Sequence, residues 1–297
     1  MMARTRKALS LENTRHRPLL HLRLIPTPSA RRPRVSAVGY LNTTPLTWGM
    51  LHGPQQGFFD LDFRVPAGCA DDLAAGAADI GLIPTFELTR QDLEVVPGLG
   101  IACRGPVRSI LLISSRPAAE IRTLAADSSS RTSVELVRIV LERRYGAAPE
   151  SISHPPDLEA MLRIADAALI IGDPALRIDT ARLPYYVYDL GGEWVEMTGL
   201  PMVFAVWAGR KGEVTPEVVE ALRESHNYGR ARIHEIVASE APRRGFPPEF
   251  VEEYLTRRIV NELGPREYQG MDLFLSYARQ LRPQGGASAR PRGGTPV

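Results

Sequence analysis

Serine, threonine and asparagine gather at two points where the chain turns from strand into helix. In Leu41-Asn42-Thr43-Thr44-Pro45-Leu46 any of the three polar residues suits a helix cap. Pro45 suits the first turn, where its missing N–H costs nothing. A second cluster, Ser128-Ser129-Ser130-Arg131-Thr132-Ser133, precedes a segment whose apolar positions Val134, Val137, Val140 and Leu141 share one helical face up to Gly146. A helix amino terminus carries unpaired N–H groups and a partial positive charge, so each start suits a carboxylate. Asn42 would serve one such site, and Ser130, Arg131, Thr132 and Ser133 the other, with Arg131 able to grip a carboxylate through two hydrogen bonds. The same residues serve equally well as caps and nothing more.

Three further positions belong to the same inventory. Ser109 heads a strand after Gly105-Pro106-Val107, where its hydroxyl can point into a cleft or pair within a sheet. Asp173 ends a buried strand, where it orients a ligand hydroxyl or caps the next helix. Thr198 and Gly199 make a turn before another strand and can line the same cleft. No Gly-x-Gly-x-x-Gly, phosphate loop, nucleophile elbow or metal-spaced His/Cys set occurs. An enzyme built from these residues has no obvious cofactor and no obvious base.

The elements that must position these residues follow from the apolar pattern. Residues 34–39 form a short strand, another follows near residues 62–66, and residues 67–78 make an Ala-rich helix that leads into a buried strand at residues 79–84. Strands alternating with helices predict a parallel sheet. The phrases AAGAADIGLIPT and RIADAALIIGDP repeat one helix–strand–loop grammar, which fits two lobes built alike or ordinary βα punctuation. The strands at residues 109–115 and 202–208 would carry the chain out of the first lobe and back, forming a hinge. Residues 216–238, 248–261 and 267–280 read as three amphipathic helices. The expected division is a leader (1–33), a first lobe (34–115 with 199–283), a second lobe (116–198) and a tail (284–297). Ligands of open α/β sheets sit beyond the carboxyl ends of the strands.

Composition narrows the class. With 297 residues, 44% hydrophobic and 24% charged, the chain is ordinary globular material. A net charge of +2 gives no ground for a nucleic-acid or membrane partner. Cys69 and Cys103 are too few for a disulfide framework, and core packing in a reducing, cytoplasmic compartment is the simpler expectation. The Arg-rich, Pro-containing leader lacks the apolar stretch of an export signal and, like the Gly/Pro/Arg tail, reads as unstructured.

Six phrases taken together (GYLNTTPL, ADIGLIPTFEL, CRGPVRSILLIS, SSRTSVEL, IIGDPAL and TGLPMVFAVWAG) resemble the chorismate dehydratases of the futalosine route to menaquinone. The resemblance runs from about Arg34 to Leu281. It implies a two-lobed α/β fold similar to type II periplasmic binding proteins, with mixed, mostly parallel sheets flanked by helices and a cleft between the lobes. It implies a hydro-lyase that takes water from chorismate, a small dicarboxylate, to leave 3-[(1-carboxyvinyl)oxy]benzoate without a cofactor. Proton removal by a carboxylate of chorismate itself fits the missing base. By the same resemblance Asn42 and Ser109 are active-site residues that hydrogen-bond the substrate and the departing hydroxyl. Arg131, Thr132 and Ser133 hold a carboxylate, and Asp173 and Thr198 face the cleft.

Two other readings were open at this level. The sister enzyme that forms 1,4-dihydroxy-6-naphthoate carries a histidine where this chain has Gly172-Asp173. A non-catalytic small-anion-binding module of the same fold is the alternative from a different class.

Overall fold

The structure, a computed structural model, describes residues 31–281. Nearly all of the expected leader and the whole of the expected tail lie outside the described residues. Four strands open the chain: β1 (Arg34–Val38), β2 (Asp60–Arg64), β3 (Ile80–Pro84) and β4 (Glu94–Cys103). Five follow elsewhere: β5 (Ile110–Ser114), β6 (Thr123–Asp127), β7 (Glu150–His154), β8 (Ala167–Ile171) and β9 (Tyr186–Asp189). The chain then returns with β10 (Met202–Gly209) and β11 (Val260–Glu262).

These strands form two sheets, ordered β11-β4-β10-β3-β1-β2 and β7-β6-β8-β5-β9. In the first, β2, β1 and β3 run parallel while β10 lies antiparallel between β3 and β4. In the second, β7, β6 and β8 run parallel while β5 lies antiparallel between β8 and β9. The two sheets share one plan, and β3 and β8, the strands of the repeated phrases, hold equivalent places in it. The central strands β3, β8 and β10 are buried along their whole length, which is why they read as unbroken apolar runs. The edge strands β2 and β7 carry Asp, Arg, Glu and His and are largely exposed, which protects open edges from pairing.

Among the described residues ten helices flank the sheets. They are α1 (Thr44–His52), α2 (Pro66–Ala74), α3 (Thr132–Tyr145), α4 (Leu158–Ile164), α5 (Gly172–Leu176), α6 (Leu190–Thr198), α7 (Pro216–Arg230), α8 (Ile233–Arg244), α9 (Pro248–Glu253) and α10 (Pro265–Gln280). Three expected boundaries change. The strand at residues 109–115 belongs to the second sheet, because β5 pairs with β8 and β9, so the outward crossing falls at residues 104–109. An apolar strand beside a crossing reads the same whichever sheet receives it. The helix expected over 216–238 divides into α7 and α8, and the one expected over 248–261 stops at Glu253. After Glu253 come a π turn (Tyr254–Arg258) and β11.

Helices α1 and α7 meet almost backbone to backbone. A Cβ on Gly229 would lie 2.3 Å from the Pro45 carbonyl oxygen, and one on Gly49 would lie 2.5 Å from Ser225 Cα. Between them Ser225 Oγ donates to the Leu46 carbonyl (2.8 Å) and accepts the Met50 N–H (3.2 Å). At the start of β3, buried Asp79 takes donors from Arg31, Arg34 and Arg210 and from the Arg34 backbone N–H. Burial alone would raise the Asp79 pKa. The Arg34 side-chain and backbone donors, with Arg31, outweigh it and hold the carboxyl well below the usual range.

Two outcomes follow. Gly229→Ala should cost about 2–3 kcal/mol in a urea unfolding series, because the added methyl forces α7 off α1. Because the folded Asp79 carboxyl titrates below its unfolded value near 4, its contribution is full above that pH. It is lost as pH falls further toward the folded value. Thermal scans from pH 7 down to 2.5 should show Asp79→Asn less stable at pH 7, and the gap to the native protein should narrow at the acid end.

Candidate active site

The sheet registers bring distant segments to one cavity. Ile110 pairs with Ile171, and Ala205 pairs with Pro84 on one side and Ile101 on the other. The cavity these residues share lies beyond the carboxyl ends of β1, β3 and β8, where open α/β sheets bind ligands. Val38, Pro66, Pro84, Ile101, Ile110, Ile171, Phe204 and Ala205 form apolar walls, and Tyr40, Asn42, Ser109, Ser130, Thr132 and Ser133 supply the polar lining. Apolar walls with a few convergent donors suit a ring that carries polar groups at its ends. The enclosed volume is about 50 Å³, well short of the roughly 300 Å³ typical of small ligand sites.

The loop before α3 is shaped by Asp127, which is fully buried at the end of β6. Its carboxylate accepts the Ser129 N–H (2.9 Å), the Ser129 hydroxyl (2.7 Å) and the Ile171 N–H (3.3 Å). Because the Ser129 proton is committed to Asp127, the Tyr40 hydroxyl, 3.3 Å away, is the donor to Ser129 Oγ. Ser130 Oγ accepts the Ser133 N–H (3.2 Å), and Thr132 Oγ1 accepts the Phe86 N–H (3.1 Å). Each of these hydroxyls acts as an acceptor within the protein and keeps its own proton to donate into the cavity. Helix α3 runs for 14 residues and begins at Thr132, so its amino terminus adds a favourable field for an anion there.

Across the cavity, Asn42 sits on a single 3₁₀ turn (Leu41–Thr43) that leads into α1. Ser109 is 1% exposed, and its hydroxyl has no hydrogen-bond partner of good geometry among the described residues. A buried hydroxyl in that state is suited to a ligand. Behind these two lies Tyr254, buried on the π turn. Burial pushes its phenol far above the usual range, while Ser109 and then Asn42 act as neighbouring hydrogen-bond groups that pull it partly back. Tyr254 is therefore a neutral hydroxyl at any physiological pH.

Four of the residues expected at the site are engaged elsewhere. Arg131 is not among the residues that line the cavity and pairs with Asp71 (2.6 Å) and Glu87 (3.0 Å), so it ties the start of α3 to α2 and the turn after β3. Asp173 accepts the Leu41 N–H (3.0 Å) and forms an ion pair with Arg244, which also pairs with Glu240. Thr198 Oγ1 donates to the Trp194 carbonyl (2.8 Å) and accepts the Leu200 N–H (3.2 Å) at the end of α6. Gly199, with φ of 71°, is the left-handed terminator of that helix. For Arg131, Asp173 and Thr198 the partners that claim the side chain are not among the residues lining the cavity.

The structure adds Tyr40, Gly172 and Tyr254. Gly172 has φ of 64°, and a Cβ there would lie 2.5 Å from the Tyr40 ring, so glycine admits the tyrosine to the cavity wall. An Ile-Ile-Gly-Asp strand end is the only sequence trace of that requirement. No local pattern marks Tyr254, which arrives from a distant helix. Among the described residues no group of three or more His, Cys, Asp or Glu is placed to hold a metal ion. Cys69 and Cys103 are buried and unpaired, and burial pushes both thiols up to about 12.

The chain matches the menaquinone biosynthesis family over residues 33–280. It is 32% identical over 234 residues to the chorismate dehydratase of Thermus thermophilus, an overlap that covers 73% of this chain and 84% of that protein. Among solved structures it resembles a protein of Archaeoglobus fulgidus, with a TM-score of 0.66 and 17% identity over 84% of this chain and 97% of that one. It also resembles the periplasmic aliphatic sulphonate binding protein of Escherichia coli, with a TM-score of 0.56 and 18% identity over 86% and 95% of the two chains. Likeness at such identities speaks for the fold: two α/β lobes of the periplasmic-binding-protein kind around a cleft.

Gly172→Ala should destabilise the protein by about 1–3 kcal/mol, because it combines a left-handed φ with a steric clash. A urea titration followed by tryptophan fluorescence measures this, and an unchanged midpoint would remove the close Tyr40 approach as the reason for glycine.

Proposed function

This chain belongs to the menaquinone biosynthesis family, and on that premise we propose that it is a chorismate dehydratase, a carbon–oxygen hydro-lyase. The observation that carries the reading is the chemistry of the cavity lining. Its polar groups are hydroxyls and one amide, and its described lining residues include no carboxylate, imidazole or amine. Such a site can hold an anionic ring and donate hydrogen bonds, and it has no side chain suited to take a proton.

Chorismate needs little more. The C3–H bond breaks, its electron pair enters the ring, and the C4–O bond breaks to release hydroxide. The enolpyruvyl carboxylate of the substrate accepts the C3 proton, and that proton with the departing hydroxide makes water. The product, 3-[(1-carboxyvinyl)oxy]benzoate, is aromatic, which drives the elimination. The protein's share is position and hydrogen bonding. Ser130, Thr132, Ser133 and the start of α3 hold one carboxylate, while Asn42 and Ser109 donate to the C4 oxygen as its charge grows. Holding the internal base against its target supplies several kcal/mol of the barrier. The buried, unpaired thiols support a reducing, cytoplasmic setting.

Incubation of the purified protein with chorismate alone, followed by liquid chromatography with mass detection, tests the reading. Loss of one water faster than in a protein-free control supports it, and intact chorismate beside folded protein rejects it. Ser109→Ala and Asn42→Ala should each lower turnover by on the order of 10- to 100-fold while circular dichroism stays native. The pH profile is a third check. Among the described lining residues Tyr40 alone is titratable, and burial, opposed by Ser129, raises its pKa. The rate constant kcat should therefore be flat from about pH 6 to 9; a limb near neutrality would reveal a side-chain base.

A further inference from the structure

We infer that Asp189 is a positioning residue for the site: it holds Arg108 in a left-handed turn and so fixes where the Ser109 hydroxyl enters the cavity. The inference rests on the dehydratase reading for its kinetic consequence, but its geometry stands without a substrate.

Asp189 ends β9, directly opposite Leu111 of β5. One carboxylate oxygen accepts the N–H groups of Val107 (2.9 Å), Gly191 (3.0 Å) and Gly192 (3.1 Å), and the other accepts the N–H of Arg108 (2.6 Å). A single carboxylate thus binds two consecutive amides of the outward crossing together with the first turn of α6. Arg108 has φ of 64° and is the one described residue other than glycine with a positive φ. A long side chain rarely adopts that conformation unless its surroundings enforce it. Its guanidinium lies 5.2 Å from the ring centre of Phe250, which stacks on Tyr254. Gly191 lets the loop close on α6, since a Cβ there would lie 2.8 Å from the Gly105 carbonyl oxygen.

Ser109 is the next residue, and it is pinned on its far side as well. Its carbonyl accepts the Gly172 N–H at 2.7 Å, where β5 begins to pair with β8. With both flanks held, the direction of its Cα–Cβ bond is set by the φ of Arg108. If Arg108 relaxes to negative φ the peptide before Ser109 rotates, and the hydroxyl leaves the cavity wall. Reactivity is sensitive to displacements of about 1 Å. A carboxylate that merely capped α6 would have no need of the Val107 and Arg108 amides.

The test is kinetic and structural together. Native turnover of chorismate is measured first, and its absence defeats the functional reading without touching this one. Amide hydrogen exchange then tests the positioning directly: Val107 and Arg108 should exchange at least tenfold faster in Asp189→Asn. In steady-state assays Asp189→Asn should lose at least tenfold in kcat with KM within about twofold. Arg108→Gly added to Asp189→Asn should recover at least threefold of that loss, because glycine takes the positive φ unaided. If Asp189→Asn does not fold, Asp189→Glu, which keeps the charge but displaces the oxygens, should show the same kcat loss and the same rescue. Unchanged exchange, an unchanged kcat, or a kcat loss that Arg108→Gly leaves untouched would overturn the inference and leave Asp189 a helix cap.

Discussion

Each sheet is completed by a strand that the crossing chain delivers antiparallel, and the rest of the molecule depends on that constraint. β5 enters the second sheet as soon as the chain leaves the first, and β10 enters the first as soon as the chain returns. Because both strands sit beside the carboxyl ends of parallel strands, the crossings lie against the cavity. Ser109 stands at the first residue before β5, while Phe204 and Ala205 lie within β10. The site is a product of topology: no single lobe contains it, and a change in either pairing register would dismantle it.

The charged residues near the cleft are spent on one another. Arg131 reaches Asp71 and Glu87, and Arg244 reaches Asp173 and Glu240. The Arg131 pairs and the Arg244–Asp173 pair join segments that belong to different sheets, together with the Tyr40–Ser129 contact and the Phe86 N–H donated to Thr132, while Glu240 holds Arg244 from within α8. Removing one partner of the largely buried Arg244–Asp173 pair costs several kcal/mol, so that pair helps hold the walls of the cavity in place. What faces the cavity is a set of neutral donors and a helix amino terminus. Such donors recognise an anion by direction and distance, and they do not leave an unpaired positive charge when the ligand departs.

Much of the fold was legible because its central strands are fully buried and its helices are punctuated. β3, β8 and β10 appear as apolar runs, and Gly146 ends α3 where the pattern stops. β4 was not legible, since Pro97-Gly98 breaks the pattern in mid-strand and the structure absorbs the break with register shifts against β10. At the cavity, Asn42, Ser130, Thr132 and Ser133 were visible as small polar residues gathered at strand-to-helix turns, where they could equally be caps, and Ser109 as a hydroxyl heading a strand. Arg131, Asp173 and Thr198 have chemistry suited to a ligand, but the groups that claim them are fixed by tertiary structure. Asp71 and Glu87 lie far from Arg131 in sequence, and Arg244 lies far from Asp173. Tyr254 and Asp189 were hidden for the converse reason, since each acts on residues that only the crossings bring near.

The interleaving of the two sheets also sets the order in which the chain can acquire structure. The second sheet is drawn from one continuous stretch, β5 to β9, whereas the first places β10 between β3 and β4, which precede it by the length of the whole second lobe. During synthesis the second lobe has every strand it needs before Met202 leaves the ribosome. The first must wait with β3 unpaired on one side and β4 on both. Closing that gap is a long-range pairing of high contact order, the slow class of folding step. β4, whose two neighbours both follow the second lobe, and the apolar run of β3 are therefore the segments most open to wrong partners in a half-made chain, and the first lobe is completed after the second.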